Sequence, residues 1–318
     1  MRKKHFLFAS VLALLCGSST LHAQDFKLTS SGYFKNQGVD VMAFDDIYPE
    51  GHQGGVCIIM NGHRVATNGD IRLEATPGQW QPVPKQLDRK LGDNSIPATL
   101  CYPDSSRHLT GFNPMIYPDL HLIYTVNVES KGKNIEVTVD LDRPIPQEFI
   151  GKVGFNLEFF PGSLFGKPWI MDGQSGIFPQ QPNSPLMTTQ PNYLHTGNYH
   201  DGKKSLADMD KLIGKGYSPI VADDIISEPY AKGTKFTSRP DDPYNKVTIE
   251  SLSGDLQLFD GRMNHNNGWF VLRSNIKPGV TKGAVKWIIT PNVVADWMYQ
   301  PVIQTSQIGY HPTQDKEA

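Results

Sequence analysis

The strongest constraint on this chain is the alternation of apolar and polar residues in short runs that end at turn-forming residues. Residues 120–128 alternate, residues 130–133 favour a turn, and residues 134–141 alternate again. A period of two is that of a β-strand with one buried and one solvent-facing side, whereas an amphipathic helix has a period of about 3.6. Further strand-like segments lie at residues 56–60, 70–74, 153–160, 247–252, 255–260, 269–273 and 284–290.

Turn-forming residues are spread along the whole chain. Glycine occurs 29 times and proline 24 times without a repeat, which separates many short strands and leaves little room for long helices. Asn61-Gly62 and Asn68-Gly69 each predict a tight turn, because Asn and Gly tolerate the positive φ angles of a two-residue hairpin. Residues 161–199, which are rich in Gly, Pro, Asn, Gln and aromatic side chains, predict long loops that cross a sheet.

These patterns together predict an all-β fold. We expect a large antiparallel β-sandwich of the extended, supersandwich kind, with a jelly roll as the alternative, because strand order cannot be inferred from one sequence. One short helix is expected at residues 205–212, where Leu206, Met209 and Leu212 share a face.

The N-terminus has the composition of an export signal. Three basic residues at positions 2–4 precede an apolar run at residues 6–15, and small or polar residues then lead to Ala23. The run is shorter than the roughly 20 apolar residues of a membrane-spanning helix. We therefore predict cleavage after Ala23 and an exported protein without a transmembrane segment, located in the periplasm, at the cell surface or outside the cell. A lipid anchor on Cys16 is the alternative.

Two cysteines remain after such cleavage, Cys57 and Cys101. An exported chain can join two cysteines in one disulfide, but both of these lie in apolar, strand-like surroundings. Two reduced thiols in the core are therefore an equal alternative. Two cysteines are also too few for a structural zinc site built on thiolates.

The charge balance limits the classes of partner. Lys and Arg number 30 against 32 Asp and Glu, and no basic cluster follows the signal, which argues against nucleic acid as a partner. The sequence has no phosphate loop, nucleophile elbow or dinucleotide fingerprint, so we predict no cofactor and no metal. Adjacent carboxylates occur at Asp45-Asp46 and Asp223-Asp224, but neighbours in a strand point to opposite faces. We therefore predict no catalytic residue in this chain.

The end of the chain carries a specific pattern of glutamine, a hydrophobic residue, glycine, tyrosine, proline and a later Lys-x-Ala. The positions are Gln307, Ile308, Gly309, Tyr310, Pro312, Lys316 and Ala318. This pattern resembles the first strand of the immunoglobulin-like module that precedes the catalytic (α/α) barrel in many bacterial family 9 glycoside hydrolases, including those of Bacteroidetes.

The resemblance implies a domain organisation. Residues 1–23 are then the signal peptide, 24–292 an N-terminal β-sandwich domain, 293–301 a linker and 302–318 the start of a truncated immunoglobulin-like module. An immunoglobulin-like sandwich needs about seven strands, so the rest of that module and the catalytic module are expected downstream in a parent protein. The implied function is that of an accessory, non-catalytic region in polysaccharide degradation. Its expected partners are those downstream modules and a β-glucan-like polysaccharide or oligosaccharide.

Two segments offer the side chains that sugar recognition requires. A pyranose ring presents a band of C–H groups that packs on an exposed aromatic ring, while carboxylate, amide and imidazole groups bind its hydroxyls. Core packing is the competing role for such aromatic residues in an all-β domain. The candidate carbohydrate-binding residues are Trp169, Asp172, Tyr193, His195, Tyr199 and His200.

Two other functions stay open. A free-standing glycan-binding protein of the cell surface or periplasm would need a binding face but no downstream module. A β-sandwich carbohydrate epimerase or lyase would need a pocket near His195 and His200, where a histidine can act as acid, base or ligand.

Overall fold

The computed structural model of the protein describes residues 25–46, 54–74, 76–77, 82–108, 110, 117, 120–181, 186–187, 226–263, 268–300, 309 and 311–313. Within these ranges the chain forms two large antiparallel sheets that share one hydrophobic core. The all-β sandwich that the alternation predicts is confirmed.

The first sheet has nine described strands, in the spatial order β1, β2, β3, β4, β5, β10, β19, β18 and β15. The bounds of these strands are β1 Lys27–Leu28, β2 Tyr33–Asn36, β3 Val39–Ala43, β4 Val56–Met60, β5 His63–Leu73, β10 Val153–Phe159, β15 Ala231–Gly233, β18 Leu256–Asp260 and β19 Phe270–Asn275.

The second sheet also has nine described strands, in the order β12, β11, β16, β17, β20, β9, β8, β7 and β6. Their bounds are β6 Lys85–Arg89, β7 Ser95–Tyr102, β8 Leu122–Lys131, β9 Asn134–Leu141, β11 Pro168–Met171, β12 Gln174–Ile177, β16 Lys235–Ser238, β17 Val247–Ser251 and β20 Val285–Pro291.

The remaining described elements are short. Strands β13 (Leu186–Met187) and β14 (Ile226–Ser227) pair with each other, and the described helical segments are single 3-10 turns. These turns are Ser105–Arg107, Gln147–Phe149, Pro161–Ser163 and Gly261–Met263. The helix predicted at residues 205–212 lies outside the described residues.

The core lies between the two sheets and is built by the alternation seen in the sequence. Trp287 of β20 is fully buried and meets Phe155 of β10 edge to face, with ring centroids 5.0 Å apart. The indole Nε1 of Trp287 donates to the hydroxyl of Ser274 on β19 at 3.0 Å, so its polar atom also has a partner inside. This contact joins the two sheets across the core.

The two Asn-Gly pairs have different roles. Asn61 and Gly62 take φ angles of 52° and 82° and form the predicted hairpin turn between β4 and β5. The turn predicted at Asn68-Gly69 is wrong, because β5 continues through both residues. Asn68 has a φ of 55° within an irregular stretch where the β4–β5 register shifts, and a Cβ on Gly69 would lie 2.6 Å from the Cβ of Val56. Here the positive φ serves a bulge inside one strand.

The expectation for residues 161–199 needs correction, and the turn between β17 and β18 has an unexpected role. Residues 161–199 were predicted to form loops only, but β11 and β12 form a hairpin there, which places Trp169 in the second sheet. The turn at Ser253-Gly254 joins neighbouring strands in sequence, β17 and β18, yet these belong to different sheets. That turn therefore crosses the sandwich, which the local turn signal cannot show.

The first described strand begins at residue 27 and the last one ends at residue 291. Beyond β20, Trp297 packs against the β2–β3 turn. Gln37 Nε2 donates to the carbonyl of Trp297, and a Cβ on Gly38 would lie 2.7 Å from its ring. The boundaries at residues 24, 292 and 301 stay predictions.

In the part of the chain that is described, no helix has both the length and the apolar character needed to cross a membrane.

Candidate binding face on the first sheet

The two outer faces of the sandwich differ in burial. The second sheet carries partly exposed polar pairs on its outer face, such as Thr99 with Thr125 and Glu136 with Lys286. In the first sheet every residue of β10 is buried, although alternate positions are polar. We define the outer face of the first sheet as the side that points away from Trp287 and the second sheet. This face is the candidate functional site.

Alternation and register place a set of charged and amide side chains on this face. Phe155 points into the core, so Asn156 and Glu158 of β10 point to the outer face. Asn156 lies directly opposite Asp70 of β5 on one side and opposite Arg273 of β19 on the other. Directly opposed residues share a face. The members of the set, here called the outer-face cluster, are Asn68, Asp70, Arg72, Glu74, Asn156, Glu158 and Arg273.

Arg273 lies flat across the sheet because position 154 is a glycine. A Cβ on Gly154 would be 2.9 Å from Nε of Arg273. The guanidinium donates to Glu74 Oε1 and to Asn156 Oδ1, both at 3.0 Å, and to the carbonyl of Lys152 at 2.7 Å. Asn156 Nδ2 in turn donates to Glu74 Oε1 at 2.5 Å. One end of the cluster is therefore a tightly bonded triad of Glu74, Asn156 and Arg273.

Asp70 and Arg72 form the other end of the cluster, near the second sheet. Strand β4 begins at Val56, opposite Gly69, so β5 has no partner from β4 beyond that point. The hydroxyl of Tyr124, from the second sheet, reaches β5 there and donates to Asp70 Oδ1 at 2.8 Å. The other carboxylate oxygen of Asp70 lies 3.6 Å from Nη1 of Arg72.

Three acceptor oxygens of the cluster are buried without a hydrogen bond in the described part of the chain. They are Asn68 Oδ1, Asp70 Oδ2 and Glu74 Oε2. In each case the other terminal atom of the same side chain is held by the protein; Asn68 Nδ2, for example, donates to Glu158 Oε2 at 2.6 Å. Most buried polar atoms in proteins have a partner, so three unfilled acceptors on one face distinguish it from ordinary sheet surface.

Burial also changes the ionisation of the two carboxyl groups. Removal from water raises the pKa of Asp70 from 3.8 to about 6, while Arg72 and the Tyr124 hydroxyl oppose the shift. The same cause raises the pKa of Glu74 from 4.5 to about 7, against the opposing effects of Arg273 and Asn156. Both groups can therefore exchange a proton near neutral pH.

Of the sequence-predicted sugar-binding residues, Trp169 has a structural role. It is 7 % exposed, belongs to the hydrophobic core, and packs on Gly176 of the neighbouring strand, where a Cβ would lie 2.3 Å from the ring. A side chain that points into the core cannot offer its ring to a sugar. The prediction for Trp169 is thus not supported.

Asp172 also has a structural role. It lies in the β11–β12 turn with a φ of 43° and accepts hydrogen bonds from the amides of Thr234 and Lys235. These bonds hold the pKa of the Asp172 carboxyl below its usual value. They join the hairpin to the start of β16, and Asp172 does not lie with the outer-face cluster.

The other four predicted residues, Tyr193, His195, Tyr199 and His200, lie outside the described residues, and their roles stay predictions. The carboxylate doublet Asp45-Asp46 is bound in ion pairs, with Arg89 and Arg64 respectively.

The two cysteines are free thiols on opposite sides of the sandwich. Cys57 of β4 is buried on the outer face of the first sheet, where its Sγ lies 3.1 Å from the Thr67 hydroxyl. Cys101 of β7 alternates with the core residues Leu100 and Tyr102 and so faces outward from the second sheet. With both sheets between them, the two sulfurs cannot form the disulfide that the sequence left open.

Sequence reasoning missed the outer-face cluster. The segment Asp70-Ile71-Arg72-Leu73-Glu74 has the alternation of a strand with one wet face, and this was the interpretation given to it. A local pattern cannot show that a polar face is covered. A usable signal was the density of charge, because Asp70, Arg72 and Glu74 are three ionisable residues at alternate positions of one strand-like segment.

The fold and this face define a class, a two-sheet β-sandwich with a buried, charged outer face. No family model matches the chain, and no curated protein matches it. Among solved structures it is similar to the Slr1438 protein of Synechocystis sp. PCC 6803, with 9 % identity, a TM-score of 0.36, and coverage of 84 % of this chain and 96 % of that chain.

A galactose mutarotase related enzyme from Lactobacillus acidophilus is similar to the same extent. The identity is 9 %, the TM-score 0.36, and the match covers 81 % of this chain and 96 % of that chain. Similarity at this level carries no argument about function.

Proposed function

We propose that this chain is an accessory, non-catalytic β-sandwich region of an exported glycoside hydrolase of the family 9 kind, which supports or positions modules encoded downstream. The proposal combines the family 9-like pattern at residues 307–318 with the exposure of Gly309 and residues 311–313, which are the described part of that segment.

One observation carries the proposal. The described residues of the tail, Gly309 and 311–313, are exposed and belong to neither sheet. His311 makes a local contact, with its Nδ1 2.8 Å from the Thr313 hydroxyl. A family 9-like first strand should be available for a sandwich other than this one. The exposure of the described tail residues, outside the described strands of both sheets, agrees with that requirement.

Hydrolysis assays test the proposal. The purified chain is incubated with cellulose, mixed-linkage β-glucan and xyloglucan, and new reducing ends are measured against a known endoglucanase. We expect no turnover, because the accessory role assigns glycoside cleavage to the catalytic module expected downstream. Turnover that Glu74→Gln or Asp70→Asn abolishes would refute the accessory role and identify the chain as an enzyme.

A free-standing glycan-binding protein is the second candidate. The side chains of Tyr193, His195 and Tyr199, which suit sugar recognition and lie outside the described residues, favour it. The two candidates differ in what lies downstream: an open reading frame that continues past Ala318 into a complete module supports the accessory role.

A further inference from the structure

We propose that an exposed aromatic surface at one end of the sandwich binds a neutral oligosaccharide, with pyranose rings packed on Tyr244 and Tyr299. This surface, here called the end platform, consists of Tyr244, Trp297, Met298 and Tyr299. It lies where the β2–β3 and β4–β5 turns meet the loop between β16 and β17. The inference does not depend on the accessory role, because it uses no residue of the tail beyond Gln300.

The end platform is open to solvent, in contrast to the buried outer-face cluster. Met298 is 71 % exposed and Tyr299 66 %, the two highest values for large hydrophobic side chains in the part of the chain that is described, and Tyr244 is 49 % exposed. With the partly exposed Trp297, they offer an accessible surface on the order of 400 Å². Single exposed hydrophobic residues are ordinary, but a contiguous patch of this size on one chain is often functional.

The β4–β5 turn brings the two tyrosines to the same place. Asn61 Nδ2 donates to the carbonyl of Tyr244, and a Cβ on Gly62 would lie 3.9 Å from Cε2 of Tyr299. Trp297 and Tyr299 meet edge to face, with ring centroids 6.4 Å apart. Because neighbouring Cα atoms are about 3.8 Å apart, the two tyrosines flank a single turn. A chain of several sugars can contact both of them at once.

The rings are fixed before a ligand arrives. Trp297 packs on Gly38, where a Cβ would lie 2.7 Å from the indole ring, and Gln37 Nε2 donates to the carbonyl of Trp297. Asn292 Nδ2 donates to the carbonyl of Pro243 at 2.7 Å, which holds the loop between β16 and β17 against the chain after β20. Side chains that are already ordered lose little conformational entropy on binding.

The chemistry of the end platform favours a neutral polyhydroxylated ligand. Aromatic faces pack on the C–H band of a pyranose, while tyrosine hydroxyls and the adjacent amides of Gln37 and Asn61 can bond its hydroxyls. No platform residue is charged, and the nearby Asp241 and Asp296 are exposed, where an ion pair contributes only about 0–1 kcal/mol. An ionic ligand would therefore gain little.

The size of the end platform separates a sugar from a protein partner. A stable protein interface buries about 800 Å² on each side. The platform offers on the order of half that area. An oligosaccharide packed on two or three rings needs no larger surface.

Calorimetric titration of the full chain tests the proposal. The ligands are glucose, cellobiose and cellotetraose, with the corresponding xylose and mannose series. We expect at least one series to bind, with an affinity that rises from the monosaccharide to the tetrasaccharide. The affinity should change by less than about twofold between about 0.05 and 0.5 M NaCl, because salt screens charges and this ligand has none.

Substitutions of the tyrosines locate the site. Tyr299→Ala and Tyr244→Ala should each weaken binding about three- to tenfold, because an aromatic packing surface is lost. Tyr299→Phe keeps the ring and should keep most of the affinity. Leu252→Ala is the matched control, since Leu252 is 56 % exposed but follows the other end of β17 from Tyr244. Exposed positions such as these can be changed with little effect on folding.

Tryptophan fluorescence gives a second measurement. The chain has five tryptophans, of which Trp297 belongs to the end platform. The bound oligosaccharide should change the emission of the unchanged protein, and Trp297→Phe should remove that change.

Three outcomes would overturn the proposal. One is that no series binds at up to about 10 mM. Another is that Leu252→Ala weakens binding as much as Tyr299→Ala. The third is self-association that Tyr299→Ala abolishes, found in place of sugar binding, which would make the platform a protein interface. A chain that stops after Gln300 keeps the platform and should bind as the full chain does, so failure of the accessory role would leave this inference intact.

Discussion

At the scale of single residues, Arg273 shows how one glycine shapes the outer face. Its guanidinium crosses the sheet over Gly154, where a side chain would collide with it. Because Glu74, Asn156 and the carbonyl of Lys152 accept its hydrogen bonds, the buried charge is paired. Breaking such a buried pair is costly, since an uncompensated charge would remain.

Gly154→Ala tests this contact. The new Cβ would lie 2.8 Å from the carbonyl of Ser274 and 2.9 Å from Nε of Arg273, so the sheet or the guanidinium must move. We expect a loss of about 1–3 kcal/mol in the free energy of unfolding, measured by urea denaturation. Gly162→Ala is the control, because nothing lies within 4 Å of its Cβ. Equal stability of both variants would show that Arg273 does not lie over Gly154.

The buried carboxyl groups predict a pH dependence of stability. Burial raises the pKa of Glu74 from its ordinary value of 4.5 to about 7 in the folded protein, so the folded state holds its proton more tightly. Its contribution to stability is fully present below pH 4.5 and is lost as the pH rises through about 7. The loss is on the order of 3 kcal/mol, and Asp70 acts in the same direction between pH 3.8 and about 6.

Glu74→Gln isolates this effect. The decrease in unfolding free energy between about pH 5 and pH 8 should be smaller in the variant than in the unchanged protein. Glu136→Gln, in the second sheet, should leave the decrease as it is. If Glu74→Gln and the unchanged protein had parallel pH profiles, Glu74 would not titrate in this range.

At the scale of elements, the strands show what a local pattern can and cannot predict. The β4–β5 turn and the strands β8, β9, β10, β17, β18, β19 and β20 followed from alternation and from Asn61-Gly62. The bulge at Asn68 could not be distinguished from a turn, because both use a positive φ angle. The hairpin of β11 and β12 was missed because its Gly-rich and Pro-rich surroundings resemble a loop.

The β11–β12 hairpin predicts that two neighbouring residues of β11 contribute very differently to the free energy of unfolding. Trp169 points into the core and is 7 % exposed, whereas its neighbour Ile170 points outward and is 40 % exposed. Trp169→Ala should lower the free energy of unfolding by about 3–5 kcal/mol, because it leaves a large cavity. Ile170→Ala should change it by less than about 0.5 kcal/mol. A stable Trp169→Ala variant that loses sugar binding would restore the predicted role of Trp169 in recognition.

At the scale of the whole molecule, the fold class was predictable and the position of the outer-face cluster was not. Alternation indicates two-faced strands and therefore a sandwich. It does not indicate which strands are neighbours. Asn156 lies beside both Asp70 and Arg273 only because β10 lies between β5 and β19. The cluster draws on residues as far apart in sequence as Asn68 and Arg273, so it depends on strand order.

The accessory role depends on a sandwich that is complete without the tail. The C-terminal segment stays attached as far as Trp297, through Gln37 and Gly38, and the described tail residues beyond it are exposed. Removal of residues 301–318 should therefore leave the packed part of the molecule intact, because surface segments contribute little to stability.

The most direct measurement compares the thermal unfolding midpoint of the full chain with that of a chain that stops after Gln300. We expect midpoints within about 2 °C of each other, which corresponds to less than about 1 kcal/mol for a domain of this size. A decrease of about 5 °C or more would mean that residues 301–318 are an integral part of the sandwich. The tail could then not serve as the first strand of another module, and the proposed relationship to family 9 glycoside hydrolases would be contradicted.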